Sequence, residues 1–152
     1  MGREPVRMVD ISPKPPLVRE AVAEGTIRLR PETVERIRQG RIEKGDVLSV
    51  ATVAAVLAVK NTPNIIPLCH PIPIHNVKVD YELGRETVTV RVKVKTKAET
   101  GVEMEALTGV SAALLTIWDM VKKYEKDEEG QYPETRISNI RVLSKVKRAD
   151  EE

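Results

Sequence analysis

The sequence contains no phenylalanine, and its other aromatic residues are only Tyr81, Trp118, Tyr124 and Tyr132. Single-stranded nucleic acid is held by stacking bases on such rings, so this scarcity argues against a nucleic-acid partner. Charge argues the same way: 25 basic and 23 acidic residues leave +2, with no block of one sign. A lone cysteine, Cys69, rules out an intrachain disulfide and fits a reducing cytoplasm. With only His70 and His75 beside it, no Cys/His zinc site can be completed and no iron–sulfur cluster ligated. The start, Met-Gly-Arg-Glu-Pro, has no apolar signal region. The longest apolar run, Val47 to Val59, has 13 residues, short of the ~20 a spanning helix needs. The expectation is a cytoplasmic protein with no membrane and no metal of its own.

What is present suits one globular domain over 1–152, with 41% hydrophobic and 32% charged residues. Arg7 to Ile11 reads as a short strand, followed by a bend at Pro13, Pro15 and Pro16. Over Val18 to Leu29, Arg-Glu-Ala-Val-Ala-Glu could start a helix, but Gly25 and the alternation of Thr26, Ile27, Arg28 and Leu29 predict a second strand ending at Pro31. Pro31 and Gly40 bracket a short amphipathic helix carrying Val34 and Ile37. Asp46 is a natural N-cap for a helix to about Lys60, apolar all round and ended by Asn61 and Pro63. Asn64 to Asn76, with three prolines, predicts a stiff connection. From Val77 the period becomes two, and Val77–Leu83 and Val88–Val94 predict an antiparallel hairpin.

Thr100 to Lys123 predicts one long helix. Leu107, Val110, Leu114, Ile117, Trp118 and Val121 form its apolar stripe, while Gly109, Ala112, Ala113 and Thr116 form a face of small residues. That second face predicts close approach of another backbone, in a second layer or a second subunit. A flexible Lys126–Glu134 stretch, a strand over Arg136–Ser144 and a disordered tail at 146–152 complete the chain. The pattern is α+β: an antiparallel sheet with helices packed on one face, oligomeric through a helix face.

Four stretches could carry chemistry. Lys44-Gly45-Asp46 fits an anion site at a helix start, the simpler reading being a cap behind a surface lysine. Prolines hold His70 rigidly in Pro-Leu-Cys-His-Pro, where an imidazole can donate, accept or titrate; a loop histidine explains it equally. Nothing near Cys69 lowers its thiol pKa, so packing is the better account of that residue. Thr100 and Glu103 fit a capping box, which leaves Glu105 less explained. Asp119 and Lys122 are three apart on one helix side and can pair. An acid so late in a helix opposes the dipole, which implies a partner or a task. A lysine held beside it in a confined pocket could have a tuned pKa and move protons.

Taken together, five segments resemble the MoaC family of molybdenum cofactor biosynthesis, the cyclic pyranopterin monophosphate synthases. They are Met-Val-Asp-Ile-Ser-Pro-Lys with Arg-Glu-Ala-Val-Ala, Lys-Gly-Asp-Val-Leu, Ile-Pro-Leu-Cys-His-Pro, Lys-Ala-Glu-Thr-Gly-Val-Glu-Met-Glu-Ala-Leu-Thr, and Leu-Thr-Ile-Trp-Asp-Met-Val-Lys. The resemblance implies a ferredoxin-like subunit in a homohexamer, a trimer of dimers with the active site at the dimer interface. It implies a lyase converting 3′,8-cyclo-7,8-dihydro-GTP, supplied by a radical-SAM GTP cyclase, to cyclic pyranopterin monophosphate and diphosphate. No cofactor is implied beyond magnesium accompanying the triphosphate. By position it implies Asp119, Lys122 and Lys44 as catalytic, and Leu68, Cys69, His70, Met104 and Glu105 as substrate-binding. Arg19, Lys60, Glu103 and Lys145 match further polar pocket positions. The family's Lys-Ser-Gly-Gly-Lys-Ser-Gly ending is replaced here by Lys145-Val-Lys-Arg-Ala-Asp-Glu-Glu, and Lys126–Glu134 is longer than the family's connection. The rival reading is a non-catalytic ferredoxin-like nucleotide-binding module.

Overall fold

The structure, a computed structural model, describes residues 2–149. Its elements are β1 (Leu17–Arg28), α1 (Pro31–Gln39), α2 (Val47–Ile65), β2 (Asn76–Leu83), β3 (Thr87–Ala98), α3 (Glu103–Glu125) and β4 (Arg136–Arg148). The sheet runs β2-β3-β1-β4, every pair antiparallel. The strands joined through α2, and those joined through α3, are therefore parallel with one strand between them, a split crossover. In β3 the alternation is complete: Val88, Val90, Val92 and Val94 are fully buried, and Arg91, Lys93, Lys95 and Lys97 take the other face. That open face is charged and laced. Glu24 accepts from Arg91 at 2.9 Å and pairs with Arg141 at 3.3 Å, while Glu20 pairs with Arg148 at 3.0 Å and Lys93 at 3.5 Å.

Both long helices cover the apolar face. Val110, Leu114, Ile117 and Val121 of α3 are fully buried; Leu107 and Trp118 at the stripe's margin are only partly so. By length and composition α3 could cross a membrane, but half of its apolar stretch is buried inside the fold, which accounts for its greasiness. The small-residue face does not await another subunit. Gly109 and Ala113 are buried, and a Cβ on Gly109 would stand 2.9 Å from Val59 Cγ2 and 3.4 Å from the Ala55 carbonyl. The backbone that approaches is α2 of the same chain.

Gly25 does the same service beneath the sheet side of α3. A Cβ there would lie 2.7 Å from both Leu114 Cδ1 and Val110 Cγ1. Overpacking a filled core costs roughly 1–3 kcal/mol, so Gly25→Ala should lower the thermal midpoint measurably in a calorimetric scan. An unchanged midpoint would mean that α3 has slack to move away.

Several boundaries differ from those the sequence predicts. Arg7–Ile11 pairs with no strand; it is an extended, mostly exposed arm closed by a turn in which the Lys14 N–H donates to the Ile11 carbonyl at 3.0 Å. Helix α2 does not stop at Asn61 but runs through Pro63 to Ile65. A proline this close to the end removes only one hydrogen bond, and the Thr62 hydroxyl donates back to the Ala58 carbonyl at 2.9 Å. Nor is α2 buried all round: Ala51, Ala55 and Val59 face the core while Val50, Val53 and Leu57 are exposed in this chain. The capping box is not formed either. Val102, which has no side-chain acceptor, is the N-cap, so Glu103 is the first helical residue rather than the third that a Thr100 box needs, and it pairs with Lys145 of β4 at 3.2 Å.

The stretch 126–134 is ordered by its own bonds. The Asp127 carboxylate accepts from the N–H groups of Glu129 and Gln131, both at 2.9 Å, and Gly130 takes φ 77° at the turn. Strand β4 continues to Arg148, so Val146 to Arg148 are paired to β1 rather than part of a tail. Asp150 to Glu152, the rest of the predicted tail, lie outside the described residues.

Candidate active site

The predicted site residues fall into two groups, one at each end of α3. At its C-terminal end, Asp119 stands between two lysines. Lys122 Nζ donates to Asp119 Oδ1 at 2.9 Å, as the i, i+3 spacing predicts. Lys44 arrives from the loop before α2 and donates to the Asp119 carbonyl at 3.2 Å and to Oδ2 at 3.3 Å. Asp46 is the cap, accepting from the Ser49 N–H at 3.3 Å, and Lys44 is delivered to Asp119.

Hydrogen bonds from Lys122 and then Lys44 hold the Asp119 carboxyl below its ordinary range. The same bond to Asp119 raises Lys122 above the ordinary lysine value. Lys122 is thus an ammonium at neutral pH, ready to donate a proton or hold an anion. In this chain the cluster is open, not confined: the side chains of Lys44, Lys122 and Asp119 are 49%, 41% and 60% exposed. Beside it the Trp118 and Tyr132 rings meet edge to face at 5.1 Å. Tyr132 carries no sequence signal of a site, since it sits in the stretch read as a loop.

At the N-terminal end of α3, a cleft of about 530 Å³ is lined by Leu68, Cys69, His70, Glu103 and Met104. Its remaining walls include Arg7, Val9, Ile11 and Lys14 of the N-terminal arm, with Thr100 and Gly101. Lys14 closes the family segment Met-Val-Asp-Ile-Ser-Pro-Lys, whereas Arg7 had no motif to point to it; the place of both follows from how the arm folds back. Glu105 is 2% exposed, and its Oε1 has no hydrogen-bond partner among the described residues. The Cys69 thiol donates to Glu105 Oε2 at 3.5 Å. Burial first, then the neighbouring Glu105, pushes Cys69 up to about 11, and burial raises Glu105 as well. Both groups are driven toward their neutral forms, the condition in which a carboxyl can donate to a ligand.

A thiol so raised is a poor nucleophile, because the thiolate is the reactive form. Alkylation of Cys69 by iodoacetamide should therefore stay slow at pH 8 to 9 and rise only as pH approaches about 11. Rapid labelling at pH 8 in the folded protein would overturn this placement.

Arg19 reaches this end of the molecule from β1, its Nε and Nη2 donating to the carbonyls of Ala98 at 3.2 Å and Glu99 at 3.3 Å. Lys145 arrives from β4 through its bond to Glu103. Lys60 is not brought in: it is exposed on α2 and lines neither cleft wall. A wider concavity of about 750 Å³ beside the 126–129 stretch contains none of the predicted residues. Among the described residues no group of three His, Cys, Asp or Glu side chains is arranged to hold a metal ion.

Met104 and Asp119 are separated by 15 helical positions, or roughly 22 Å at 1.5 Å per residue. One copy of the chain therefore presents two clusters of predicted site residues, at opposite ends of one helix.

The family model described as MoaC family matches residues 8–147. A protein of Aeropyrum pernix named probable cyclic pyranopterin monophosphate synthase is 62% identical over 140 residues, covering 92% of this chain and 96% of that one. One of the same name from Methanococcoides burtonii is 61% identical over 140 residues, 92% and 88% of the two chains. A protein of Methanothermobacter thermautotrophicus named probable cyclic pyranopterin monophosphate synthase accessory protein is 59% identical over 142 residues, 93% and 89%.

Proposed function

This chain belongs to the MoaC family, and we propose that it works as a cyclic pyranopterin monophosphate synthase in molybdenum cofactor biosynthesis. Its substrate is the cyclised dihydro-GTP triphosphate, its products the cyclic monophosphate and diphosphate. The observation that carries this reading is the Lys44–Asp119–Lys122 cluster, which supplies positive charge and a positioned proton where a bland helix end would have neither. Forming the cyclic phosphate requires a substrate hydroxyl to attack the α-phosphorus as the bond to the β-phosphate breaks. The hydroxyl loses a proton and the leaving diphosphate gains charge. Lys122, protonated through its bond to Asp119, is suited to the acid and charge-stabilising side of these steps, with Lys44 as the second lysine. Magnesium, where it accompanies the triphosphate, enters with the substrate.

The strand order and the two helices on one face support a ferredoxin-like subunit. The two half-sites support assembly: the cleft at Cys69 and His70 is completed by Lys44, Asp119 and Lys122 of a second copy, in a hexamer of three dimers. The exposed Val50, Val53, Leu57 and Leu115 offer apolar area for such contacts. A second reading is favoured by the accessory-protein name of one relative: binding of the nucleotide without turnover.

Incubation with the cyclised nucleotide separates the two. Diphosphate release supports the synthase; saturable binding with no diphosphate supports the module. The shared site has its own test. His70→Ala and Lys122→Ala, each inactive alone, should restore about a quarter of normal turnover when co-assembled, since half the dimers carry one intact site. No recovery from a verified mixed assembly would mean that each chain works alone.

A further inference from the structure

The loop that delivers Lys44 to Asp119 is held at more than that one point. Leaving α1, the chain buries Ile42 and turns at once. The Gly45 N–H donates to the Ile42 carbonyl at 3.0 Å, which makes Glu43 and Lys44 the two central residues of the turn. Gly45 sits at φ 116°, a conformation that a side chain would resist. A turn of this kind leaves the N–H of its first central residue unused. Here that N–H, of Glu43, donates to the Tyr124 hydroxyl at 3.0 Å, and the Glu43 carboxylate pairs with Lys123. The next residue, Lys44, reaches Asp119. Two consecutive loop residues are thus gripped by three residues near the C-terminal end of α3.

Tyr124 is itself fixed. Its ring packs partly buried against the core, and the Arg36 guanidinium of α1 lies over it, 4.6 Å from the ring centre. Arg36 also ties down the same loop: its Nη1 donates to the Arg41 carbonyl at 3.4 Å, and its own carbonyl accepts from the Arg41 N–H at 2.8 Å. The two contacts to Glu43 are unequal. The Lys123 and Glu43 side chains are 61% and 66% exposed, and a pair so wet holds little. The phenol acts on the main chain instead, and restrains the backbone from which the long Lys44 side chain starts. A lysine anchored at its base keeps its ammonium near a partner with less entropy to lose.

We propose that Tyr124 is a positioning residue of the active site, whose hydroxyl, through the Glu43 N–H, sets Lys44 against Asp119. Its importance for turnover rests on the function proposed above; the brace itself does not.

Tyr124→Phe isolates the hydroxyl, because it keeps the ring beneath Arg36. The thermal midpoint should stay within about 2 °C of the parent, since one partly exposed hydrogen bond is lost. Turnover of the cyclised nucleotide should fall about fivefold in kcat, with KM within about twofold. In a Lys44→Ala background the same change should add nothing beyond about 1.5-fold, because the hydroxyl acts only through Lys44. Lys123→Ala, which breaks only the exposed pair, should keep kcat within about twofold. The Asp119 carboxyl, titrated by NMR in the full chain, gives a readout without substrate. Lys122 first and then Lys44 hold it below its ordinary range. Its titration should therefore move up in Lys44→Ala, part of the way in Tyr124→Phe, and stay in place in Lys123→Ala. An unmoved Asp119 in Tyr124→Phe would overturn the proposal, as would an equal loss of kcat with and without Lys44. If Asp119 moves in a chain that releases no diphosphate, the brace stands and the synthase reading falls. Diphosphate release indifferent to Tyr124→Phe keeps the synthase reading and removes the positioning role.

Discussion

Lys122→Ala should lower turnover of the cyclised nucleotide by roughly three orders of magnitude, the middle of the range for loss of a proton-transferring group. Its fold should survive, because the side chain is 41% exposed and surface ion pairs contribute little to stability. Asp119→Asn should be nearly as damaging for a different reason. The asparagine keeps the shape but removes the charge that raises Lys122 and anchors Lys44. The sign of the pH effect follows. With Asp119 present the Lys122 pKa lies above its ordinary value, so the ammonium persists further into alkali. Without it that pKa falls back, and the residual activity should decline at lower pH than in the parent. Diphosphate release measured across the alkaline range reads this directly. Full activity in either variant, or an alkaline limb that does not move in Asp119→Asn, would remove these residues from the chemistry.

Glu125→Ala should be the most destabilising single truncation outside the apolar core. The carboxylate is 0% exposed. It accepts from the Arg30 N–H at 3.0 Å, the Thr33 hydroxyl at 2.5 Å and the Thr135 hydroxyl at 2.7 Å. Truncation leaves three donors without a partner, two of them on buried threonines, at about 1 kcal/mol or more each, so a loss of about 3–4 kcal/mol is expected. In a chain of this length that corresponds to a thermal midpoint lower by roughly 6–15 °C. Glu125→Gln, which keeps an acceptor oxygen, should lose markedly less. Because Glu125 lies one turn beyond Lys122, weaker docking of the α3 end should also lower activity in step with stability. A midpoint within a degree or two of the parent in Glu125→Ala would show the network to be replaceable by water.

Glu125 also shows how sequence reasoning misses a residue. In the sequence it is one acid among Lys-Lys-Tyr-Glu-Lys-Asp-Glu-Glu, indistinguishable from its solvated neighbours. Only α1 and the start of β4 closing over it make it a hub. Tyr132 and the arm residue Arg7 were hidden in the same way, each placed by a segment whose path no periodicity encodes. The small-residue face of α3 was legible as a site of close approach, but its partner was not. Gly109 and Ala113 predict a neighbour at short range; that the neighbour is α2 of the same chain depends on the split crossover. The length of β4 misled for a related reason. Val146 to Arg148 carry charges typical of a tail, and only the free edge of β1 recruits them into a strand.

By itself the sequence determined what short-range rules govern. Period-two alternation set the hairpin and its buried face, Pro31 and Gly40 bracketed α1, Asp46 capped α2, and the i, i+3 spacing placed Lys122 beside Asp119. The family segments added residue identities at the candidate site. The tertiary structure alone decided which distant groups meet: Lys44 with Asp119, Cys69 with Glu105, and Glu103 with Lys145. Local preference acts over a few residues and can be read in order along the chain. These meetings join groups 36 to 75 positions apart, and are fixed by burying one shared apolar surface, which no single stretch encodes.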